Sequence, residues 1–296
     1  MVGPGVTGDP GLPPLSVVVG ARGPEAALEG FLASIAPQRG DAEVLVCESS
    51  PSSQALRERF AWARFIAGDG GLVPHLWRDG IDSSHGRMVA LTNATMQPAP
   101  DWLQSLKHEL DRHDVVSGAI EPGTNLRLTD WAEYFCRYSP HMLPFEGRPS
   151  ADLPADNAAY RRECLESTSD LYREGFWEPA IHQRLASEGA RLWQSPRVVV
   201  RQGRSAGFRA FVGQRLAHGR AYGAERGAEL SAVQNLVRVL AAPLVVAVMT
   251  VRMAREIQSR RRLRRRFVFA LPALLAFNLA WAAGEAIGHA TRVRSS

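Results

Sequence analysis

Hydrophobic positions along the chain fall into short unbroken runs separated by stretches of helical period. Leu15 to Val19, Val44 to Cys47, Met88 to Leu91 and Val115 to Ile120 read as strands, and Arg64 to Ala67 as a candidate further strand. Between them, residues 24–35 set Ala27, Leu28, Phe31, Leu32 and Ile35 on one helical face. Residues 52–64, 76–85 and 101–112 read as further helices, the last with Asp101 as its N-cap. This alternation predicts a layered sheet with helices on its faces, an α/β half of nucleotide-binding type up to about residue 120.

The second half is less regular. Trp131, Tyr134, Phe135, Tyr138 and Phe145 cluster in a stretch containing Pro and Gly, after which residues 157–165 and 179–189 read as helices and residues 191–200 as a returning strand. Beyond residue 230 the pattern changes again. Val239 to Val251 is an uncharged run of 13 residues interrupted by Pro243, and Phe267 to Gly284 one of 18 interrupted by Pro272. A spanning helix needs about 20 apolar residues, so the first run is short and the second marginal.

Charge sharpens this reading. The formal net charge is +5, but eight arginines between Arg252 and Arg266 face one glutamate, a local +7 that leaves the rest of the chain at −2. The globular part is therefore slightly acidic, and the basic run gives no case for nucleic acid as a partner. If the first run crossed from a cytoplasmic domain, the Arg block would lie on the outer face, against the positive-inside preference. The expectation is a monotopic or peripheral hairpin on the cytoplasmic face of the plasma membrane, its Arg-rich loop on an anionic surface. A buried hairpin of a soluble domain is the plainer alternative, and seven net charges between two apolar helices disfavour it. The expected domains are a flexible lead-in over residues 1–14, a catalytic-size domain over 15–230 and the hairpin over 231–296.

Cys47, Cys136 and Cys164 are odd in number and widely spaced, which indicates neither a disulfide framework nor a zinc site and suits a reducing, intracellular setting. The first residues lack the pattern of a secretory signal.

Five segments in order carry a resemblance: SVVVGARGPEAALEGFLASI, EVLVCESSPSS, LWRDGIDSSHGRMVALTNATMQPAPDWL, LPADNAAYRRECL and FWEPAIHQRLASEG. Together, over residues 15–225, they resemble family 2 glycosyltransferases, and WAAGEAIGHATR resembles the end of the membrane-hairpin tails that some of these enzymes carry. The resemblance implies a GT-A-type fold, three-layer α/β/α with a mostly parallel sheet, and inverting transfer from a nucleotide-sugar donor to a glycan or lipid-linked acceptor. It places Ala21, Arg22, Glu48, Ser49 and Ser50 at the nucleotide, and Arg78 under the sugar diphosphate as a phosphate clamp. Asp156, Asn157 and Trp177 fall on the acceptor side, the first two also being good N-caps.

Glu178 stands where the family keeps its catalytic acid. Pro179 replaces the second acid, and one carboxylate suffices to take the acceptor's proton. At the family's Asp-x-Asp position the chain has Thr92, Asn93 and Thr95, neutral oxygens that would hold a divalent cation weakly. The expectation is therefore transfer with weak or no need for Mg²⁺ or Mn²⁺, with arginines such as Arg78, Arg215 or Arg220 stabilising the leaving diphosphate. His182, one turn beyond Glu178, is the weak candidate for a metal ligand. The alternative function is a non-catalytic relative that binds a glycan, a lipid-linked sugar or a membrane partner.

Overall fold

The computed structural model describes residues 13–68, 71–204, 207–228 and 230–293; most of the expected lead-in lies outside the described residues. The elements in chain order are β1 (Leu15–Ala21), α1 (Glu25–Ile35), β2 (Glu43–Glu48), α2 (Gln54–Arg59), β3 (Arg64–Ala67), α3 (Val73–Ser83), β4 (Met88–Asn93), β5 (Met96–Pro98), α4 (Trp102–Leu110) and β6 (Val115–Pro122). There follow α5 (Leu128–Tyr138), β7 (Arg148–Pro149), β8 (Asn157–Arg161), α6 (Arg162–Ser167), α7 (Glu178–Ser187), β9 (Leu192–Gln202), α8 (Phe208–Gly227), α9 (Ala232–Leu240), α10 (Ala242–Gln258) and α11 (Arg261–Val293). Two compact units result, Met1–Glu121 with Leu143–Gln202, and Pro122–Met142 with Gly203–Ser296. The division departs from the boundary expected near residue 230: α8 packs along α11, and so does α5, which draws both into the second unit.

The first unit is built on a nine-stranded mixed sheet ordered β3-β2-β1-β4-β8-β6-β9-β5, with β7 on β9. The half β3-β2-β1-β4 is parallel. Strands β1, β2 and β4 are buried on both faces, as their unbroken apolar runs require, while β3 is a more exposed edge strand. Val18, Leu45, Cys47, Val89 and Leu91 share a core with Leu76, Trp77 and Ile81 of α3. The alternate residues Val17, Val19, Val44, Val46 and Ala90 are equally buried on the opposite face. Helix α3 crosses β1 closely through Gly80, where a Cβ would stand 2.1 Å from Val18 Cγ1.

One element differs from expectation in kind. Residues 157–165 do not form one helix: Asn157–Arg161 is a strand, antiparallel to β4 and β6, and only Arg162–Ser167 is helical. Ala158, Ala159 and Tyr160 are fully buried in mid-sheet, so cross-strand pairing overrides the helical preference of these small residues. Asp156 and Asn157 consequently cap no helix. Asp101 occupies the N-cap position of α4 without a side-chain capping bond.

In the second unit the Arg block is not a loop. It ends α10 and begins α11 across a break at Ser259 and Arg260, and Arg260 turns inward to donate to the Met142 carbonyl at 2.7 Å. Helices α8 and α11 meet backbone to backbone through two Gly-x-x-x-Gly pairs. A Cβ on Gly219 would stand 2.3 Å from the Trp281 carbonyl oxygen, and one on Gly223 2.3 Å from that of Glu285. On α11, Gly284 and Gly288 lie equally close to the carbonyls of Leu216 and Arg220.

Candidate functional site

The parallel strands of the first unit deliver their carboxyl ends to one edge, the usual ligand edge of such sheets. Register places Ala21 beside Glu48, Gly20 beside Asn93, and Thr92 beside Asn157 of the antiparallel β8. Candidates from four separate segments therefore converge there.

Glu48 ends β2 almost fully buried. Its Oε1 accepts from the Ser52 amide at 2.9 Å and from the Ser52 hydroxyl, and its Oε2 pairs with the Arg57 guanidinium. Arg57 also lies over the Phe65 ring at 4.9 Å. Ser49 donates to the Ala21 carbonyl, tying the two strand ends together, while Arg22 and Ser50 are exposed beside them. Arg57 and Ser52 were not legible as site residues, since no spacing rule links a helix arginine to an acid nine residues earlier.

At the end of β4, Asn93 organises the turn. Its Oδ1 accepts from the Thr95 amide at 2.8 Å and the Thr95 hydroxyl at 2.6 Å, and its Nδ2 donates to Asp156 Oδ1. The Trp77 indole donates to the Thr92 carbonyl at 2.7 Å, and the buried Thr92 hydroxyl oxygen has no hydrogen-bond partner among the described residues. The carboxylate missing from β4 thus has a counterpart in Asp156, supplied from the β7–β8 connection. Immediately before Asp156, the Ala155 amide donates to Glu178 Oε1 at 3.3 Å, so the first residue of α7 is anchored next to Asp156. Pro179 in the first turn suits that start. Trp177 is 40% exposed at the N-cap of α7 and meets His75 edge-on at 6.3 Å.

The remaining candidates fall elsewhere. Asn157 is fully buried: Nδ2 donates to the carbonyls of Ala119 (3.0 Å) and Val198 (3.1 Å), and Oδ1 accepts from the Trp102 indole (2.8 Å). These bonds consume the side chain, so Asn157 ties strands and presents nothing to an acceptor. His182 is a core histidine. Its Nε2 lies 2.8 Å from the Tyr160 hydroxyl, its ring bonds the Ala151 backbone, and burial pushes its pKa down to about 4. Both ring nitrogens are taken, which corrects its candidacy as a metal ligand. Arg78 bonds Asp79 Oδ1 and the Arg173 carbonyl. Arg215 and Arg220 lie on α8 of the second unit. There the Arg215 guanidinium stacks on Trp281 at 4.3 Å and burial lowers its pKa, while Arg220 is exposed.

Among the described residues no group of three His, Cys, Asp or Glu side chains could hold a metal ion. At the β4 end the donor set is one carboxylate, already bonded to an amide, with neutral oxygens around it. With so few protein carboxylates, a divalent cation at this end would depend on the donor's diphosphate for most of its charged ligands. A cavity of about 670 Å³ opens at the opposite end of the sheet, between Arg112, His113, Ser150, Arg191 and Trp193, and includes none of the converging residues.

No family model matches the chain, and no curated protein matches it. Among solved structures, it is similar to the mannosyltransferase PcManGT from Pyrobaculum calidifontis, described in complex with GDP-Man and Mn²⁺. The identity is 17% and the TM-score 0.56, over 93% of this chain and 87% of that one. The chain has a glycosyltransferase fold, of GT-A type. It is also similar to residues 1–349 of S. aureus TarS, at 16% identity and a TM-score of 0.47, over 68% of this chain and 63% of that one. On this glycosyltransferase fold, Glu48, Asn93, Asp156 and Glu178 lie along the sheet edge where β1, β2 and β4 end.

Proposed function

We propose that this chain is an inverting glycosyltransferase of the family 2 kind, moving one sugar from a nucleotide-sugar donor to a glycan or lipid-linked acceptor. The observation that carries the reading is the anchored Glu178: a carboxylate at the start of α7, bonded to the amide next to Asp156, on the edge where the parallel strands end. In this reading Glu178 takes the proton from the acceptor hydroxyl as that oxygen attacks the anomeric carbon and the nucleoside diphosphate leaves. Trp177, half-exposed beside it, offers a face to the sugar ring, and Asp156 accepts from a sugar hydroxyl. Glu48 with Arg57, Ser49 and Ser50 holds the base or ribose, with Ala21 and Arg22 alongside.

PcManGT is described with Mn²⁺; the corresponding charge here is assigned to protein groups. The second Nδ2 hydrogen of Asn93 donates toward the diphosphate, and Arg78, released from Asp79, adds a guanidinium. Turnover, read as release of nucleoside diphosphate, is expected to stay within about threefold when EDTA replaces Mg²⁺ or Mn²⁺. A loss of a hundredfold or more would show that the leaving group depends on a cation after all. The enzyme works on the cytoplasmic face of the plasma membrane, attached through its second unit without nucleic acid as a partner.

The neutral β4 end favours a second reading, a non-catalytic relative that binds a glycan or a membrane partner. A Glu178→Gln variant separates the two, since a binding protein has no use for a base at that position.

A further inference from the structure

By length and composition alone, Arg261–Thr291 could cross a membrane, and Ala232–Leu240 with Ala242–Gln258 passes the same test as a pair bent by 58°. The surroundings of these helices point elsewhere. We propose that the second unit lies in one leaflet of an anionic bilayer, on the joined outer faces of α9, α10 and α11, and that α11 does not cross.

Two observations support this. The first is that α11 is accompanied by polar helices. Phe267 near its start packs on Phe135 of α5, a helix that carries Asp130, Glu133 and Arg137. Its second half is locked to α8 by the four glycines described above, and α8 carries Arg209, Arg215, Arg220 and Arg226 within 20 residues. Those glycine contacts are backbone on backbone, so α11 cannot enter hydrocarbon around its whole circumference without drawing α8 in as well. Helix α8 has too many charges for that environment. Only the side of α11 turned away from α5 and α8 is free to meet lipid.

The second is that the free side is built for a surface. Val233 and Leu240 of α9, Leu244 and Val248 of α10, and Val268 and Leu279 of α11 are each more than half exposed, far beyond scattered surface apolars. At the α10–α11 break the exposed Arg252, Arg255, Arg261, Arg264, Arg265 and Arg266 stand next to this apolar face. Apolar stripes bordered by guanidiniums match acyl chains bordered by anionic headgroups.

The proposal rests on the membrane part of the function above. Its test uses the full chain without any donor, so its failure and the failure of sugar transfer are separately visible. Binding is measured to vesicles of neutral phosphatidylcholine, alone or mixed with anionic phosphatidylglycerol. Arg255→Ser, Arg261→Ser and Arg265→Ser combined should weaken binding to the anionic vesicles about 100-fold, at roughly a tenfold loss per 1.4 kcal/mol. Leu240→Asp with Leu279→Asp should abolish binding to both kinds of vesicle. In sealed membranes from expressing cells, protease should reach a tag after Ser296 from the same side as the first unit. A tag reached only from the opposite side would overturn the proposal. So would binding that ignores both sets of substitutions, or aspartate variants that turn a dimer into a monomer while vesicle binding persists.

Discussion

Glu178→Gln is expected to lower turnover about 1,000-fold and to leave donor affinity unchanged, the loss that removal of a general base produces. Glutamine keeps the size of the side chain and its acceptor for the Ala155 amide, so the start of α7 should not move. What disappears is the carboxylate assigned to receive the acceptor's proton. Single-turnover measurement of sugar transfer, beside donor titration of the same variant, checks both halves of the expectation. Turnover within tenfold of the unsubstituted chain would assign the base elsewhere, and an equal loss of donor affinity would make Glu178 a binding residue.

Asn157→Leu is expected to cost about 4 kcal/mol of stability in the first unit. Each buried group left unpaired is worth roughly 1–3 kcal/mol. The substitution strands three: the carbonyls of Ala119 and Val198 and the indole N–H of Trp102. Against a total stability of order 5–15 kcal/mol this is a large fraction, so the shift in denaturant midpoint should be plain. A cost below about 1 kcal/mol would show that water enters the sheet edge and replaces the amide.

Legibility in the sequence followed burial. Strands β1, β2, β4 and β6 could be read because each is an apolar run covered on both faces, and such runs admit few other readings. Strand β8 could not, because Asn157, Ala158 and Ala159 have neither β-branching nor alternation; their strand character comes from β4 and β6 on either side. The same blindness reached the site. Glu178 and Glu48 were visible from their places at element ends. The Arg57 partner of Glu48 was not, because no spacing rule marks it, and the Asp156 partner of Asn93 and the Tyr160 partner of His182 were not, since their proximity comes from the tertiary fold. His182 shows the consequence: one turn from Glu178 in sequence, it faces the core while Glu178 is anchored at Ala155. In the second unit the glycines at 219, 223, 284 and 288 carried a spacing that could have paired α8 with α11, and with it a unit boundary near residue 203.

The central claim is that the edge formed by Glu48, Asn93, Asp156 and Glu178 binds a nucleotide-sugar without a metal. It is tested most directly by calorimetric titration of the full chain with UDP-, GDP-, CMP- and dTDP-sugars in EDTA. The account predicts that one donor class binds under these conditions and that Glu48→Ala abolishes the binding. Absence of binding by every donor in EDTA, whether or not Mn²⁺ or Mg²⁺ restores it, would contradict it.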